Sequence, residues 1–477
     1  MNKYTMTKIV ATLGPASNTK EMIRDLYKAG VTMFRINSSH ETPEVHQKTL
    51  DLIRTVEKEE KTLIPILLDL QGPKIRIGNL DSPIEIKKGD VLKFRHQEKL
   101  TDGILPVDYA GIAKDVKVGE KILVDDGKIQ FTVTSVDGDT ISAEALTDGL
   151  LKQRKGINIP GSTGSIEVLT DRDKVFIEFA VKNKIDYIGL SFVRTAGDVS
   201  QLRDILKSKN SNIRIISKIE KPQAVDNIDE IIELSDGIMV ARGDLGIEIS
   251  SEKVPIVQKT IIKKANLKSK VVIVATQMLE SMIENPIPTR AEASDVANAI
   301  LGGTDAIMLS GETAAGKYPI EAVKMMQLIA ENAENSLFLR HDTFPRRMID
   351  QNNTQAMAIG MALSDMIKKV PGIKAIVAIT GSGFTPTFLS ESKPSVPILA
   401  CCPDISICRA IFLYRGVFPI NFKFERKIDR SSLDKMDSFL IKKLNFEAGD
   451  TVIITGSVPN VQIGGTNFIK IHEIHNS

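Results

Sequence analysis

Lys218 and Glu220 stand two residues apart in the stretch Ile215-Ile216-Ser217-Lys218-Ile219-Glu220. On a strand that spacing points both side chains to one face, a cation beside a carboxylate. Arg242-Gly243-Asp244 supplies a second carboxylate behind a glycine, in a turn that opens onto a possible helix N-terminus, a ready anion site. Two hard oxygen donors with room for substrate phosphates and waters are what Mg²⁺ prefers. With Arg35 and Arg76 as further cations, the set suits phosphoryl transfer, where positioning and charge stabilisation do most of the work. The Lys218–Glu220 pair taken alone is equally well explained as a plain ion pair. A further stretch, LLDLQGPKIRIG, runs a buried-looking strand into Asp69, a Gly-Pro turn and then Lys74.

These residues need elements to bring them together, and the chain alternates regularly. KIVATLG, MFRINSS, LIPILLDL, DYIGLSF, IRIISKIE, GIMVARG, VVIVATQ and DAIMLSG are short runs rich in Ile, Val, Leu and Met. Amphipathic helical patterns lie between them, among them KEMIRDLYKAG, QAVDNIDEIIELS and AEASDVANAILGG. Continuous apolar runs imply strands buried on both faces, hence a parallel sheet. Eight such units predict a (β/α)₈ barrel, although periodicity alone also allows an open doubly wound sheet. In a barrel the chemistry gathers at the C-terminal strand ends. Here those ends carry Arg35 to His40, Asp69, Arg194, Lys218 to Glu220, Arg242 to Asp244, Thr276-Gln277 and Ser310 to Glu312. Cations, carboxylates and hydroxyls thus converge on one mouth.

The alternation breaks between about Lys74 and Ile166. Short alternating strands and Asp-Gly turns there predict a small β-barrel inserted after the third strand, on the catalytic face, placed to close as a lid. Past residue 340 a third unit begins, an α/β pattern with a separate parallel sheet. The expected domains are therefore 1–73 with 167–340 for the catalytic barrel, 74–166 for the inserted lid, and 341–477 for a C-terminal α/β domain.

Composition narrows the function. The 477 residues carry 62 basic and 60 acidic side chains, a net charge of +2. That gives no bulk electrostatic basis for binding nucleic acid or a membrane. The N-terminal stretch MNKYTMTKIV has no apolar signal region, and no apolar run approaches the length of a membrane span. Three cysteines, Cys401, Cys402 and Cys408, fit a reducing cytoplasm better than a disulfide framework, and the first two fit a buried strand. His40, His46, His96, His341, His472 and His475 show no metal spacing and are expected at the surface or in packing.

Two motifs are rejected. Gly311 to Lys317 follows the first part of a phosphate-binding loop, but Tyr318 replaces the required Ser/Thr and no strand is expected before it in the right register. TGSGF at Thr380 lacks the third glycine of a dinucleotide fingerprint. It remains a turn of small residues and hydroxyls, either an anion nest or a helix cap.

The strand ends in this order resemble the pyruvate kinase family over essentially the whole chain. TKIVATLGPAS, RINSSH, DLQGPKIRIG, KGINIPG, IISKIE, IMVARGDLGIEI, ATQMLESMIENPIPTRAEASDVANAI and DAIMLSGETAAGKYPIEAV are all similar to that family's motifs. The resemblance implies phosphoryl transfer from phosphoenolpyruvate to ADP, giving pyruvate and ATP, the last step of glycolysis. It implies that Lys218 stabilises the migrating phosphoryl group and that Arg35 holds the phosphate of phosphoenolpyruvate. Glu220 and Asp244 are implied ligands of Mg²⁺ or Mn²⁺, and the backbone at Gly243 and Asp244 with Thr276 is implied to seat the substrate carboxylate. Arg76, Asn37, His40 and Lys155 are implied nucleotide contacts, with Lys155 reaching in from the lid. Thr276 and Ser310 are implied to protonate the enolate. A cytoplasmic homotetramer is also implied.

Many members of that family hold K⁺ with groups matching Asn37, Ser39, Asp69 and the backbone at Leu70, where the strand end reads Asp-Thr-Lys-Gly-Pro-Glu. Here Leu70 replaces the Thr and Lys74 the Glu. An ammonium is a compact point charge that can take the place of a monovalent ion, so Lys74 is expected to make K⁺ unnecessary. Glu41 departs from a frequent Gly, with a local loop effect expected. TGSGFT resembles the loop for phosphorylated effectors, with Thr380, Ser382, Gly383 and Thr385 as donors to a sugar phosphate or nucleotide. Two rivals differ in class. A metal-dependent lyase or aldolase also places Glu and Asp on Mg²⁺ at barrel strand ends. A non-catalytic sugar-phosphate sensor needs a broken site, and none is visible.

Overall fold

The computed structural model describes residues 5–161, 166–340, 354–422, 430–457 and 465–476. His341 and the expected domain boundary after residue 340 lie outside them. Eight parallel strands close into a barrel in sequential order. They are β1 (Lys8–Thr12), β2 (Met33–Asn37), β3 (Ile66–Asp69), β4 (Tyr187–Leu190), β5 (Arg214–Ile219), β6 (Gly237–Ala241), β7 (Val271–Ala275) and β8 (Ala306–Leu309). All eight come from the apolar runs, and closure removes the open-sheet alternative.

The strand period of two sorts these residues. Ile9, Ala11, Phe34, Ile36, Leu68 and Ile188 point outward into the core shared with the helices. Val10, Met33, Leu67, Tyr187, Ile216, Met239 and Met308 fill the barrel interior. Two residues beyond four of these interior positions stand Arg35, Asp69, Lys218 and Ser310. The alternation that fills the barrel therefore delivers polar groups to its mouth.

Two helical expectations change. The pattern QAVDNIDEIIELS forms two helices, Pro222–Asp226 and Ile228–Leu234, separated at Asn227. The Arg242 turn is itself the start of a helix, Arg242–Ile249. The GETAAGK segment also differs from expectation: β8 does precede it. Residues Gly311–Ala314 then coil into a helical turn, and the Glu312 carboxylate accepts from Leu279 N and Ser310 N, so no open phosphate loop forms.

The insertion forms a six-stranded sheet and a two-stranded ribbon around a single apolar core that includes Phe94, Phe131 and Ile141. A register shift between Val133 and Ser135 interrupts one of its ladders, the irregularity by which such sheets bend. At one hairpin tip Asp125, Asp126 and Gly127 all have positive φ, which the Asp-Asp-Gly sequence tolerates.

The C-terminal domain has its own five-stranded sheet. Four strands are parallel as expected, but Phe468–Glu473 adds antiparallel to Thr451–Gly456, correcting the all-parallel reading. The domain closes the bottom of the barrel. Leu413 joins the interior cluster, and the Tyr187 hydroxyl donates to Ala410 O at 2.9 Å. Cys401, Cys402 and Cys408 are buried and free. Among the described residues no helix is long and apolar enough to cross a membrane.

Candidate active site

Asp69 organises the barrel mouth. It ends β3, and its side chain is 1% exposed. Its Oδ2 accepts from Arg35 Nε at 2.7 Å and pairs with Nη2 at 2.6 Å, while its Oδ1 lies 3.2 Å from Lys218 Nζ. Gly189 on the neighbouring strand makes room, since a Cβ there would sit 3.0 Å from Asp69 Oδ1. Arg35 is steadied by Thr12 Oγ1 at 3.0 Å, and Lys218 donates to Ser191 Oγ at 2.8 Å. Lys218 Nζ also lies 2.9 Å from Glu220 Oε1, as the two-residue spacing requires. Glu220 Oε2 accepts from Phe192 N at 2.7 Å, with Phe192 held at φ +55.

Burial opposes charge on all three titrating groups, and their neighbours decide the outcome. Burial pushes Asp69 up, but the Lys218 and Arg35 charges outweigh it and hold the carboxyl below the usual range. Burial pulls Lys218 down, but Asp69 and Glu220 hold its ammonium well above the ordinary lysine value. Glu220 is raised, chiefly by burial and also by the Asp244 charge, despite Lys218. Two carboxylates facing one cation thus shift oppositely because Arg35 pairs with Asp69.

On the far side of the mouth, Gly243 N donates to Thr276 Oγ1 at 2.7 Å. Thr276 and Gln277 have φ of +68 and +52, a left-handed conformation uncommon for non-glycine residues and most so for a β-branched one such as Thr276. Arg242 donates to Thr276 O at 2.8 Å and Gln277 O at 2.7 Å and pairs with Asp295, which pins this strained corner. Ser310 Oγ is buried without a hydrogen-bond partner among the described residues.

Not every expected residue enters this cluster. Lys155 Nζ lies on Asp125 Oδ1 at 2.7 Å, within the lid. Arg76 donates to Arg154 O at 3.2 Å, and His40 is exposed, its carbonyl 2.9 Å from His46 Nε2. Arg194 donates to Ile166 O at 2.8 Å, holding the return from the lid. Three of the four groups expected around K⁺, Asn37, Asp69 and the Leu70 carbonyl, already have protein partners. Asn37 Oδ1 accepts from Ser39 N, Leu70 O accepts from Ser191 Oγ, and Asp69 holds Arg35 and Lys218. Lys74 does not contact that group: its ion pair is with Asp244 Oδ1, at 3.5 Å.

In the C-terminal loop Thr380 Oγ1 accepts from Gly383 N at 2.8 Å, and Thr385 shares a hydrogen bond with Thr466 at 2.8 Å. Gly383, at φ +90, is the N-cap residue of the helix Phe384–Ser390, without a side-chain cap bond. Sequence reading missed Thr12, Ser191, Gly189 and Arg172, which donates to Ser38 O at 2.9 Å and so braces the Asn37–His40 segment. Thr12 and Ser191 were signalled only by position, at or just beyond a strand end, whereas Gly189 lies within its strand and Arg172 in the helix Asp171–Lys182, where nothing in the sequence marked them.

A divalent ion fits the donor set. Among the described residues no group of three or more His, Cys, Asp or Glu side chains stands ready to cage a metal. Glu220 and Asp244 supply two hard carboxylates, the oxygen donors a divalent ion prefers, with Lys74 beside Asp244 at 3.5 Å. A cavity of about 810 Å³, lined by Asp244, Gln277 and Asp126 among others, opens between barrel and lid.

A family model described as the pyruvate kinase barrel domain matches residues 4–323, and one described as the pyruvate kinase alpha/beta domain matches 357–472. The chain is 43% identical over 473 residues to a pyruvate kinase of Geobacillus stearothermophilus. It is 43% identical over 471 residues to one of Staphylococcus aureus. Both alignments take in 98% of this chain and 80% of the relative. Among solved structures, a pyruvate kinase from Cryptosporidium parvum superposes with a TM-score of 0.89 at 34% identity, covering 98% of this chain and 96% of that one.

Proposed function

Because the chain belongs to the pyruvate kinase family, and is thereby a phosphotransferase, we propose that its barrel mouth passes a phosphoryl group from phosphoenolpyruvate to ADP. The observation that carries the reading is the placement of Lys218 Nζ between Asp69 and Glu220, buried and held charged. In the transfer the bond from phosphorus to the enol oxygen breaks and a bond to a terminal oxygen of the ADP β-phosphate forms. Arg35 holds the phosphate before transfer, and Lys218 meets the negative charge as it spreads over the migrating group. The electron pair left on the enol oxygen returns through the enolate, whose terminal carbon takes a proton by a route that includes Thr276 and Ser310.

The substrate carboxylate seats at the N–H groups of Gly243 and Asp244, where it takes over from the Thr276 hydroxyl that Gly243 now engages. Glu220 and Asp244 would hold Mg²⁺ or Mn²⁺, which would supply Lewis-acid stabilisation of the negative charge that develops in the transfer. Asn37, His40, Arg76 and Lys155 contact the nucleotide, and Lys155 leaves Asp125 to do so. A sugar phosphate or nucleotide effector at Thr380, Ser382, Gly383 and Thr385 draws first on the O–H groups of Thr380 and Ser382, whose oxygens accept from Gly383 N and Phe384 N, since those N–H groups already have partners. A cytoplasmic homotetramer completes the proposal.

The raised Glu220 gives an expected pH dependence. A carboxyl whose pKa is raised stays protonated to a higher pH than an ordinary Glu, and the protonated form does not bind metal. Apparent Mg²⁺ affinity is therefore expected to weaken on the acid side earlier than for an ordinary pair. Saturating Mg²⁺ shifts the acid limb of activity to lower pH, because metal and proton compete for Glu220. Mg²⁺ titrations at several pH values check this, and a limb that stays fixed across Mg²⁺ concentrations contradicts it.

Lys74 supports a reaction that needs no K⁺, acting through its charge beside Asp244 rather than by contact with Asn37, Ser39 and Asp69. The test is pyruvate formation from phosphoenolpyruvate and ADP with Mg²⁺ in tetramethylammonium buffer, before and after K⁺ is added. Full activity without K⁺ is expected. Activity only with K⁺ rejects the Lys74 role, and pyruvate released without ADP rejects the kinase reading in favour of a lyase.

A further inference from the structure

Glu248 lies in the last turn of the helix Arg242–Ile249, which carries Asp244 in its first turn, and its side chain is 1% exposed. Lys221 Nζ lies 2.6 Å from its Oε1, and Asn158 Nδ2 donates to the same oxygen at 2.9 Å. Its Oε2 is buried with no hydrogen-bond donor among the described residues. Lys221 and Asn158 are thus the contacts that offset a buried negative charge.

Each partner comes from a segment that carries chemistry. Lys221 directly follows Glu220 at the end of β5. Asn158 closes the lid's return strand, three residues after Lys155. The helix itself carries Asp244 in its first turn. Lys221 also lines a crevice of about 60 Å³ bounded by both crossings of the lid, Pro73 to Ile75 on the way out and Ile157 to Ile159 on the return. Its ammonium stands 6.0 Å from the ring of Phe192, whose N–H holds Glu220. A buried ion pair with a directed amide hydrogen bond adds little net stability but admits few geometries. An apolar contact in its place would let the strand slide.

We propose that Lys221, Glu248 and Asn158 are positioning residues, a buried stay that fixes the lid's return strand against the metal carboxylates and so sets where Lys155 meets the nucleotide. This rests on the assignment of Lys155 to the nucleotide made above. Asn158→Ala cuts the link to the lid and leaves the Lys221–Glu248 pair in the barrel intact. Lys221→Met leaves Glu248 uncompensated, and Lys221→Arg restores the charge.

The test is steady-state kinetics of the full-length variants with ADP and phosphoenolpyruvate varied separately, alongside Lys155→Met and the thermal midpoint of each. Asn158→Ala is expected to raise the KM for ADP about tenfold, the worth of one hydrogen bond to a charged group, with the KM for phosphoenolpyruvate unchanged and a smaller fall in the thermal midpoint than Lys221→Met causes. Lys221→Met raises it further and lowers the midpoint, and Lys221→Arg recovers part of both. A merely structural role lowers the midpoint and leaves the two KM values in their original ratio, which overturns the stay. An effect in Lys155→Met without one in Asn158→Ala overturns the stay alone. No effect in Lys155→Met removes the nucleotide assignment, and the stay with it.

Discussion

Replacing Lys218 with Met is expected to lower kcat about 10³-fold while the KM for phosphoenolpyruvate changes little. The size follows from removing a preorganised charge aimed at the transition state, in a site where burial makes it count. The split between kcat and KM follows from the division of labour. In the proposed division, Arg35, which pairs with Asp69, would hold the ground-state phosphate, whereas Lys218 would act as charge moves away from it. The fold is expected to tolerate the change. Asp69 keeps Arg35, and Glu220, already raised by burial and Asp244, loses the cation that was holding it down and so takes up a proton more readily. Steady-state kinetics with a measured Mg²⁺ affinity check this, since a raised Glu220 also weakens the metal on the acid side. A variant within tenfold of the parent kcat contradicts the role.

Replacing Asp69 with Asn is expected to cost both activity and stability. Breaking a buried ion pair by removing one partner destabilises by about 3–5 kcal/mol. Here one carboxylate serves two cations, with a side chain 1% exposed. Arg35 and Lys218 would face each other without it, so kcat/KM is expected to fall about 10²-fold as both lose their aim. The loss depends on pH in a fixed direction. The Asp69 pKa is depressed in the folded state, so its stabilisation is present above the unfolded carboxylate value and fades as pH falls through the folded one. In Asp69→Asn that acid-side loss is absent. The first unfolding transition, followed by denaturant titration from neutral to acid pH, should show parent and variant converging as pH falls. A constant gap between them contradicts the anchoring role.

Asp69 also shows where sequence reading stopped. The eight apolar runs were legible because a strand buried on both faces leaves no polar gap, and the strand ends stood out because charge follows each run at once. Lys218 and Glu220 were legible as a pair because a strand's period fixes their common face. Asp69 was read as a ligand for a monovalent ion, because its partners Arg35 and Lys218 come from two other strands and meet it only when the barrel closes. Lys74 likewise met Asp244 only where the inserted domain docks on the barrel, and Lys155 met Asp125 only in the folding of the insertion itself. Asn158 and Glu248 lay inside the family-like stretches KGINIPG and IMVARGDLGIEI but drew no role of their own, Lys221 stood just past IISKIE, and only the docking of the lid brings the three together. The edge strand Phe468–Glu473 escaped notice because a strand with one wet face and charged residues lacks the continuous run that marked the others.

The central claim is that this barrel mouth moves one phosphoryl group from phosphoenolpyruvate to ADP. Phosphorus NMR of the purified protein with both substrates and Mg²⁺ tests it most directly, because every phosphorus species is seen at once. The phosphoenolpyruvate signal is expected to decay as the γ-phosphate signal of ATP grows in equal amount, with pyruvate formed one for one and no such growth over the same period in Lys218→Met. Growth of inorganic phosphate in place of ATP, or loss of phosphoenolpyruvate that proceeds unchanged without ADP, would contradict it.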